Sequence, residues 1–322
     1  MPPTAGPSGS SGSSRQPPTH GRFLAGIPAI DSPFFEATFA AGTLPEPAVE
    51  IARSLHRHGF AVIDFPEPEL DALAADIVAR LDPVYEWEEW RAGRRKSLRL
   101  IDGWKHAESV RRIAMNREIL SLLETLYGRR PIPFQTLNFP LGTQQSMHTD
   151  SVHFDSLPGG FMCGVWVALE DTDESNGPLV YCPGSHRLPP LTNDRLGVAA
   201  PAADPQYAHY RLFEETWERL VDDLRLERRE FHARKGQALI WAAYLLHGGA
   251  RQLDPGRSRH SQVTHYFFED CCYYTPLLSN PFMGRIAFRT IMNVGTGELI
   301  PNRLNSETVP AELIAACMPI SE

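Results

Sequence analysis

The apolar positions change period part-way along the chain. From Glu46 to His58, Val49, Ile51, Ala52 and Leu55 recur at helical spacing, and Gly59 ends the run as a left-handed glycine does at a helix C-terminus. This helix leads into a short strand, Phe60 to Phe65. A second helix is predicted over Glu67 to Leu81, with Leu70, Leu73, Ala74, Ile77 and Leu81 along one side, and a third over Val110 to Tyr127, stopped by Gly128. Beyond Arg130 the texture becomes short apolar or alternating runs: Ile132 to Phe139, Phe161 to Leu169, Leu179 to Cys182, Glu230 to His232, Ala238 to Leu246 and His260 to Phe268. Turn-forming clusters such as Leu157-Pro158-Gly159-Gly160 and Ser175-Asn176-Gly177-Pro178 separate them. One more helix, Tyr207 to Leu224, interrupts the strands with Tyr210, Phe213, Trp217 and Leu220 on its apolar face. The pattern predicts a mainly β fold with flanking helices (α+β), built as a sandwich or jelly roll.

Composition adds an organisation to this pattern. Residues 1–20 are a Pro/Gly/Ser-rich tail with too little to bury to be ordered, and 21–322 read as one domain. Its helical part covers 46–128, its β core 131–268, and an irregular C-terminal part, 270–322, is expected to lie across the core. Between the second and third helices, Glu86 to Trp104 mixes aromatic residues with Arg91, Arg94, Arg95, Lys96 and Arg99 and reads as a solvated loop in preference to a binding lid. Acidic residues number 39 against 31 basic ones, a net charge of -8, which removes the general attraction to phosphate backbones and argues against a nucleic-acid partner. No run approaches ~18 consecutive apolar residues, so no membrane span is expected, and the first residues lack the apolar stretch of a secretory signal. Five cysteines, an odd number with Cys271 and Cys272 adjacent, suit a reduced protein of the cytoplasm.

The candidate chemistry lies in the β part. His148-Thr149-Asp150, on a strand, would present an imidazole and a carboxylate on one face, because alternate residues point the same way. A second pair, His153-Phe154-Asp155, comes directly after it, and spacing alone does not choose between them. Downstream, the apolar run Leu239 to Leu246 reads as a strand that ends in His247-Gly248-Gly249, delivering a third imidazole to a rim with open space beside it. Two histidines and one carboxylate on one face of a metal leave three positions open, the arrangement of non-haem Fe(II) oxygenases.

Three stretches of the β part resemble the phytanoyl-CoA dioxygenase-like Fe(II)/2-oxoglutarate oxygenases. They are Met147-His148-Thr149-Asp150-Ser151-Val152-His153-Phe154, Gly164-Val165-Trp166-Val167-Ala168-Leu169-Glu170-Asp171, and Asn176-Gly177-Pro178-Leu179-Val180-Tyr181-Cys182-Pro183-Gly184-Ser185-His186. Leu246-His247-Gly248-Gly249 and the arginine ahead of Val263-Thr264-His265-Tyr266 continue the likeness, which covers Phe60 to Phe268. The resemblance implies a double-stranded β-helix, a jelly-roll variety, with iron between its sheets. It places the metal ligands, which are also the catalytic residues, at His148, Asp150 and His247, and makes His153 either a neighbour of the ligands or a residue facing substrate. Cofactors implied are Fe(II), 2-oxoglutarate as cosubstrate, and dioxygen.

The cosubstrate arginine is to be chosen from Arg251, Arg257 and Arg259. Arg257 adjoins the turn Asp254-Pro255-Gly256, whereas Arg259 begins a strand that fixes its direction, so Arg259 is chosen. A planar cation is needed because it grips a carboxylate through two parallel hydrogen bonds. By the same resemblance Gln135, in preference to Asn138, assists in holding the cosubstrate, and Trp166 lies beside it. The expected activity is hydroxylation of an unactivated C–H bond of a small organic substrate, with succinate and carbon dioxide as coproducts. Related halogenases replace the carboxylate ligand with a small residue, which Asp150 argues against. A zinc hydrolase would leave Arg259 without a role, and a jelly-roll module that binds metal or ligand without turnover is the alternative from outside enzymology.

Overall fold

Alternation along the β core decides which side chains meet. The computed structural model describes residues 24–317 other than 41, 43, 96, 205 and 206, so the tail expected over residues 1–20 lies outside the described residues, as does Lys96. In chain order the strands are β1 (Phe60–Asp64), β2 (Leu100–Ile101), β3 (Pro131–Phe139), β4 (Asp155–Leu157), β5 (Met162–Ala168), β6 (Leu179–Tyr181), β7 (Arg229–Phe231), β8 (Gln237–Ala242), β9 (His247–Gly249), β10 (Ser261–Phe268) and β11 (Cys272–Tyr274). The larger sheet runs β1-β8-β5-β10-β3-β2 and the smaller one β7-β6-β9, every neighbouring pair antiparallel. This is a mainly β, jelly-roll fold with flanking helices.

Every second residue of the central strands faces the smaller sheet. Leu137, Phe139, Trp166, Leu239, Trp241 and Val263 pack there with Leu179, Tyr181 and Phe231. The opposite phase, including Val165, Val167, Ile240 and Tyr266, joins Leu55, Leu73, Ile77 and Leu123 of the helices in a separate core. A third cluster seats Tyr210, Phe213 and Trp217 of the helix Ala208–Asp223 on Met147, Cys182 and Leu246.

The helices follow their periodicity with local corrections. Glu46–His58 ends at Gly59, whose φ is 80° and whose N–H bonds Leu55 O. A Cβ there would lie 2.5 Å from His186 Nδ1, so glycine is required twice over. The helix expected from Glu67 starts at Leu70, because the Glu67 carboxylate accepts the Glu69 N–H and holds the chain in a turn. The single helix expected over Val110 to Tyr127 is two, Glu108–Ala114 and Arg117–Tyr127. Asn116 divides them by accepting the N–H groups of Glu118 and Ile119 with its side chain, a new N-cap.

The segment from Glu86 to Trp104 is more ordered than a solvated loop. It carries a short helix, Trp87–Arg91, with Trp87 and Trp90 packed on the main core and Leu98 buried. Its charges are met locally: Arg94 pairs with Glu89, Arg95 with Glu86, and Arg91 lies over the Trp87 ring. The C-terminal part, expected to be irregular, contains β11 paired with β4, two further two-residue ladders, and the helix Ala311–Cys317.

Two strand expectations at the site are corrected. His148 forms only an isolated bridge with His247, and at Asp150 the chain enters a 3-10 turn, Asp150–Val152, in which His153 and Phe154 both donate to Asp150 O. The hydroxyls of Thr149 and Ser151 hydrogen-bond each other, which favours the turn over continued extension. The apolar run from Ala238 also fails to reach His247 as one strand. It leaves the larger sheet at Ala242, turns with Leu245 N bonded to Ala242 O, and re-enters at β9 on the smaller sheet.

Candidate metal centre

His148, Asp150 and His247 come together between the two sheets, each at least 94% buried. Backbones bring the imidazoles side by side: His148 N bonds His247 O and His247 N bonds His148 O, both at 2.9 Å. Each ring then donates its Nδ1–H to a nearby carbonyl, His148 to Ser146 O at 2.9 Å and His247 to Leu245 O at 3.0 Å. That fixes the tautomer and leaves both Nε2 atoms unprotonated, with the His148 lone pair met by the Gln145 amide in place of an ion. The two Nε2 atoms lie 4.0 Å and 3.7 Å from Asp150 Oδ1. Atoms bonded to one ion at about 2.1 Å and at right angles are about 3 Å apart, so a small contraction closes the set on an ion.

A single row of inward side chains fixes the carboxylate. Register aligns Trp241 with Gly164, Gly164 with His265, and His265 with Gln135 across β8, β5, β10 and β3. Trp241 Nε1 donates to Asp150 Oδ2 at 2.7 Å, His265 Nε2 lies 3.4 Å from the same oxygen, and Gln135 Oε1 is 3.1 Å from His265 Nδ1. With Oδ2 so engaged, Oδ1 is presented to the histidines. Gly164 makes this possible, since a Cβ on it would fall 2.3 Å from the Trp241 indole. Burial raises the Asp150 pKa, but His247 and His265 outweigh it and hold the carboxyl below its usual range. Burial and the neighbouring His247 lower the His148 pKa to about 3, so at neutral pH the pair is carboxylate and neutral imidazole, the ligand states a cation requires.

The second pair does something else. Asp155 is buried on β4, where its Oδ1 accepts the Ser156 N–H at 2.8 Å and its carboxylate accepts the Tyr244 hydroxyl at 3.2 Å. His153 packs its ring against Tyr210, with centroids 4.7 Å apart, and is not brought into the three-residue cluster.

From the metal row the cavity extends past Trp166, Val263 and Phe139 to Arg259. Arg259 precedes β10 rather than beginning it, with its N–H bonded to Pro140 O, and its guanidinium lies 5.7 Å from the Trp166 ring centre and 5.8 Å from that of Phe139. Only 2% of the residue is exposed, Nη1 donates to Ser261 Oγ at 2.9 Å, and Nε has no partner among the described residues. Burial lowers its pKa to about 10, with slight opposition from Glu170. A buried, half-satisfied cation beside an open cavity is costly alone and favourable once an anion enters. Trp166 Nε1, also buried, is likewise without a partner. Arg257, by contrast, is paired with Asp173 at 2.5 Å.

Gln135 does not line the cavity and reaches the site through His265, while Asn138 faces the other way and bonds Gln262. His265, Trp241 and Gln145, whose Nε2 is 3.3 Å from His148 Nε2, are the site residues that sequence reasoning missed. For His265 a signal existed, because it shares the strand phase of Ser261 and Val263 beyond Arg259. Nothing local marks Trp241.

A sequence model of the family described as phytanoyl-CoA dioxygenase (PhyH) matches residues 55–261, well over half of the chain. The chain belongs to this family. Among relatives, it is 28% identical over 138 residues to a probable phytanoyl-CoA dioxygenase of Caenorhabditis elegans, a stretch covering 42% of this chain and 40% of that protein. The match thus spans less than half the length of that phytanoyl-CoA dioxygenase relative. Solved structures extend the likeness in fold. The non-heme alpha ketoglutarate dependent epimerase SnoN from nogalamycin biosynthesis superposes with a TM-score of 0.55 at 18% identity, covering 83% of this chain and 97% of SnoN. EctD from S. alaskensis, solved with 2-oxoglutarate and 5-hydroxyectoine, gives 0.51 at 18% identity, covering 81% and 84%.

Proposed function

We propose that this protein is an Fe(II)- and 2-oxoglutarate-dependent dioxygenase that hydroxylates an unactivated C–H bond of a small organic substrate. One observation carries the reading: a cavity joins two imidazoles and a carboxylate to a buried arginine that has no counter-ion among the described residues. His148, Asp150 and His247 would hold Fe(II), and Arg259 would grip the distal carboxylate of 2-oxoglutarate against Trp166. When bound there, Fe(II) with dioxygen would supply the oxidising power for hydroxylation, 2-oxoglutarate being consumed to succinate and carbon dioxide.

The chain's own contribution is placement. Trp241 and His265 keep the Asp150 carboxylate turned to the ion, and Gln135 acts by fixing His265. The apolar walls Val263, Leu137 and Phe139 keep bulk water from the cosubstrate. His153 stays a candidate for the substrate side. A zinc hydrolase would bury Arg259 with no anion to neutralise it. The five unpaired cysteines suit the reducing cytoplasm.

The test is anaerobic titration of the metal-free protein with Fe(II) and 2-oxoglutarate, read as the weak visible charge-transfer band of the chelate. We expect the band in the wild type and its loss in Asp150→Ala. Arg259→Ala should raise the 2-oxoglutarate requirement by roughly 10- to 100-fold, the worth of one or two charge-assisted hydrogen bonds. Arg257→Ala should change it by less than about threefold, as befits an exposed pair. No band in the wild type, or equal effects at the two arginines, overturns the proposal.

A further inference from the structure

Arg259 is not the only guanidinium in this condition. Arg289, on the C-terminal segment, also has a buried Nε without a partner. No carboxylate of the described residues pairs with it, and burial lowers its pKa to about 10 with no acidic group in opposition. Nη1 donates to His153 O at 3.3 Å and Thr275 Oγ1 at 3.1 Å, and the guanidinium carbon lies 4.6 Å from the centre of the Phe154 ring. Its backbone is held on both sides, by Arg289 N to Tyr273 O at 2.8 Å and by Asn302 Nδ2 to Arg289 O at 3.3 Å. The cation is therefore set in place before any ligand arrives.

Its position relates it to the metal cavity. The Phe154 ring lies 5.3 Å from that of His265, which holds Asp150. One phenyl ring and one imidazole thus separate Arg289 from a metal ligand. Arg99 adds a second charge on this side: it is exposed, it lacks the ion pairs that Arg94 and Arg95 make, and it acts electrostatically on His153 and Tyr210. In a chain of net charge -8, these two guanidiniums, which both act on His153 and have no ion pair among the described residues, form a local field for an anion. Arg259 has different neighbours, Phe139, Trp166 and Ser261, so the cosubstrate that satisfies it leaves Arg289 untouched.

We propose that the substrate carries an anionic head group, a carboxylate or a phosphate ester, which docks on Arg289 with Arg99 at its outer edge, while the apolar remainder runs past Phe154 and His265 toward the metal. This rests on the oxygenase reading. Guanidinium groups bind both oxyanions through the same fork, and the probes below separate them.

Full-length protein with Fe(II) and 2-oxoglutarate is titrated anaerobically with phenylpropionate, phenethyl phosphate and phenylpropionamide, following displacement of the visible band and the melting temperature. At least one anion should act at about tenfold lower concentration than the neutral amide, the scale of a charge-assisted contact. The more potent anion identifies the head group. Arg289→Met should bring that preference within about twofold of parity, Arg289→Lys should retain most of it, and exposed Arg99→Gln should reduce it by about threefold. Circular dichroism reports folding, and if the Met variant fails to fold, the wild-type comparison and the Lys variant decide. An amide as potent as both anions, no response to either anion, or full preference in a folded Arg289→Met overturns the inference. Absence of the band before any probe is added defeats the oxygenase reading itself, a distinct result.

Discussion

Asp150 and Asp155 are five positions apart, carry the same chemical group, and meet opposite surroundings. Imidazoles surround Asp150 and keep it ionised, whereas burial raises Asp155 from 3.8 to about 7, against hydrogen bonds from Ser156, Gly160 and Tyr244 that pull the other way. A carboxyl whose folded pKa exceeds its unfolded value binds its proton more tightly when folded. Its contribution to stability is complete below the unfolded value and is lost as pH rises through the folded one. Stability of the wild type relative to Asp155→Asn should therefore fall between pH 4 and pH 7 with a slope of at most about 1.4 kcal/mol per unit, then level off. Urea midpoints of both proteins across that range measure it, and parallel curves would refute the assignment. Iron binding should persist in the Asn variant, because Asp155 contributes nothing to the ligand cluster.

Register, more than any single strand, builds the site. The row Trp241, Gly164, His265 and Gln135 exists because four strands align there, and its members are distant in sequence. The cluster of His148, Asp150 and His247 was legible from family likeness, which chose between two equally spaced pairs, and the helices from their 3.6-residue period. The supports were not, since an indole in an apolar run looks like core until pairing shows where it points. The corner between Ala242 and His247 was hidden for a related reason: Ala243, Leu245 and Leu246 are all buried, so the turn carries none of the usual Gly, Pro or Asn marks. Gly164→Ala tests the row without touching a ligand. Its new methyl must displace Trp241 and with it the hydrogen bond to Asp150 Oδ2. Fe(II) affinity should drop by roughly 10- to 100-fold, as for other losses of ligand-orienting contacts. Wild-type affinity in a folded Gly164→Ala would show that Trp241 does not orient the carboxylate.

At the scale of the whole molecule, a ligand that binds only the folded chain stabilises it by mass action. Fe(II) with 2-oxoglutarate at a hundred times the dissociation constant should contribute about 2.7 kcal/mol, which for a chain of this size raises the melting temperature by roughly 5 °C. Differential scanning fluorimetry under nitrogen checks this, and an unchanged midpoint would contradict a preformed site. Preformed it is, because the two histidine backbones clasp each other through reciprocal hydrogen bonds that owe nothing to an ion. Stripping the metal should accordingly leave the mould intact. Reloading then becomes a matter of diffusion and dehydration of the incoming ion, with no refolding step to wait for, so a chelator-treated sample should recover its colour as fast as iron can enter.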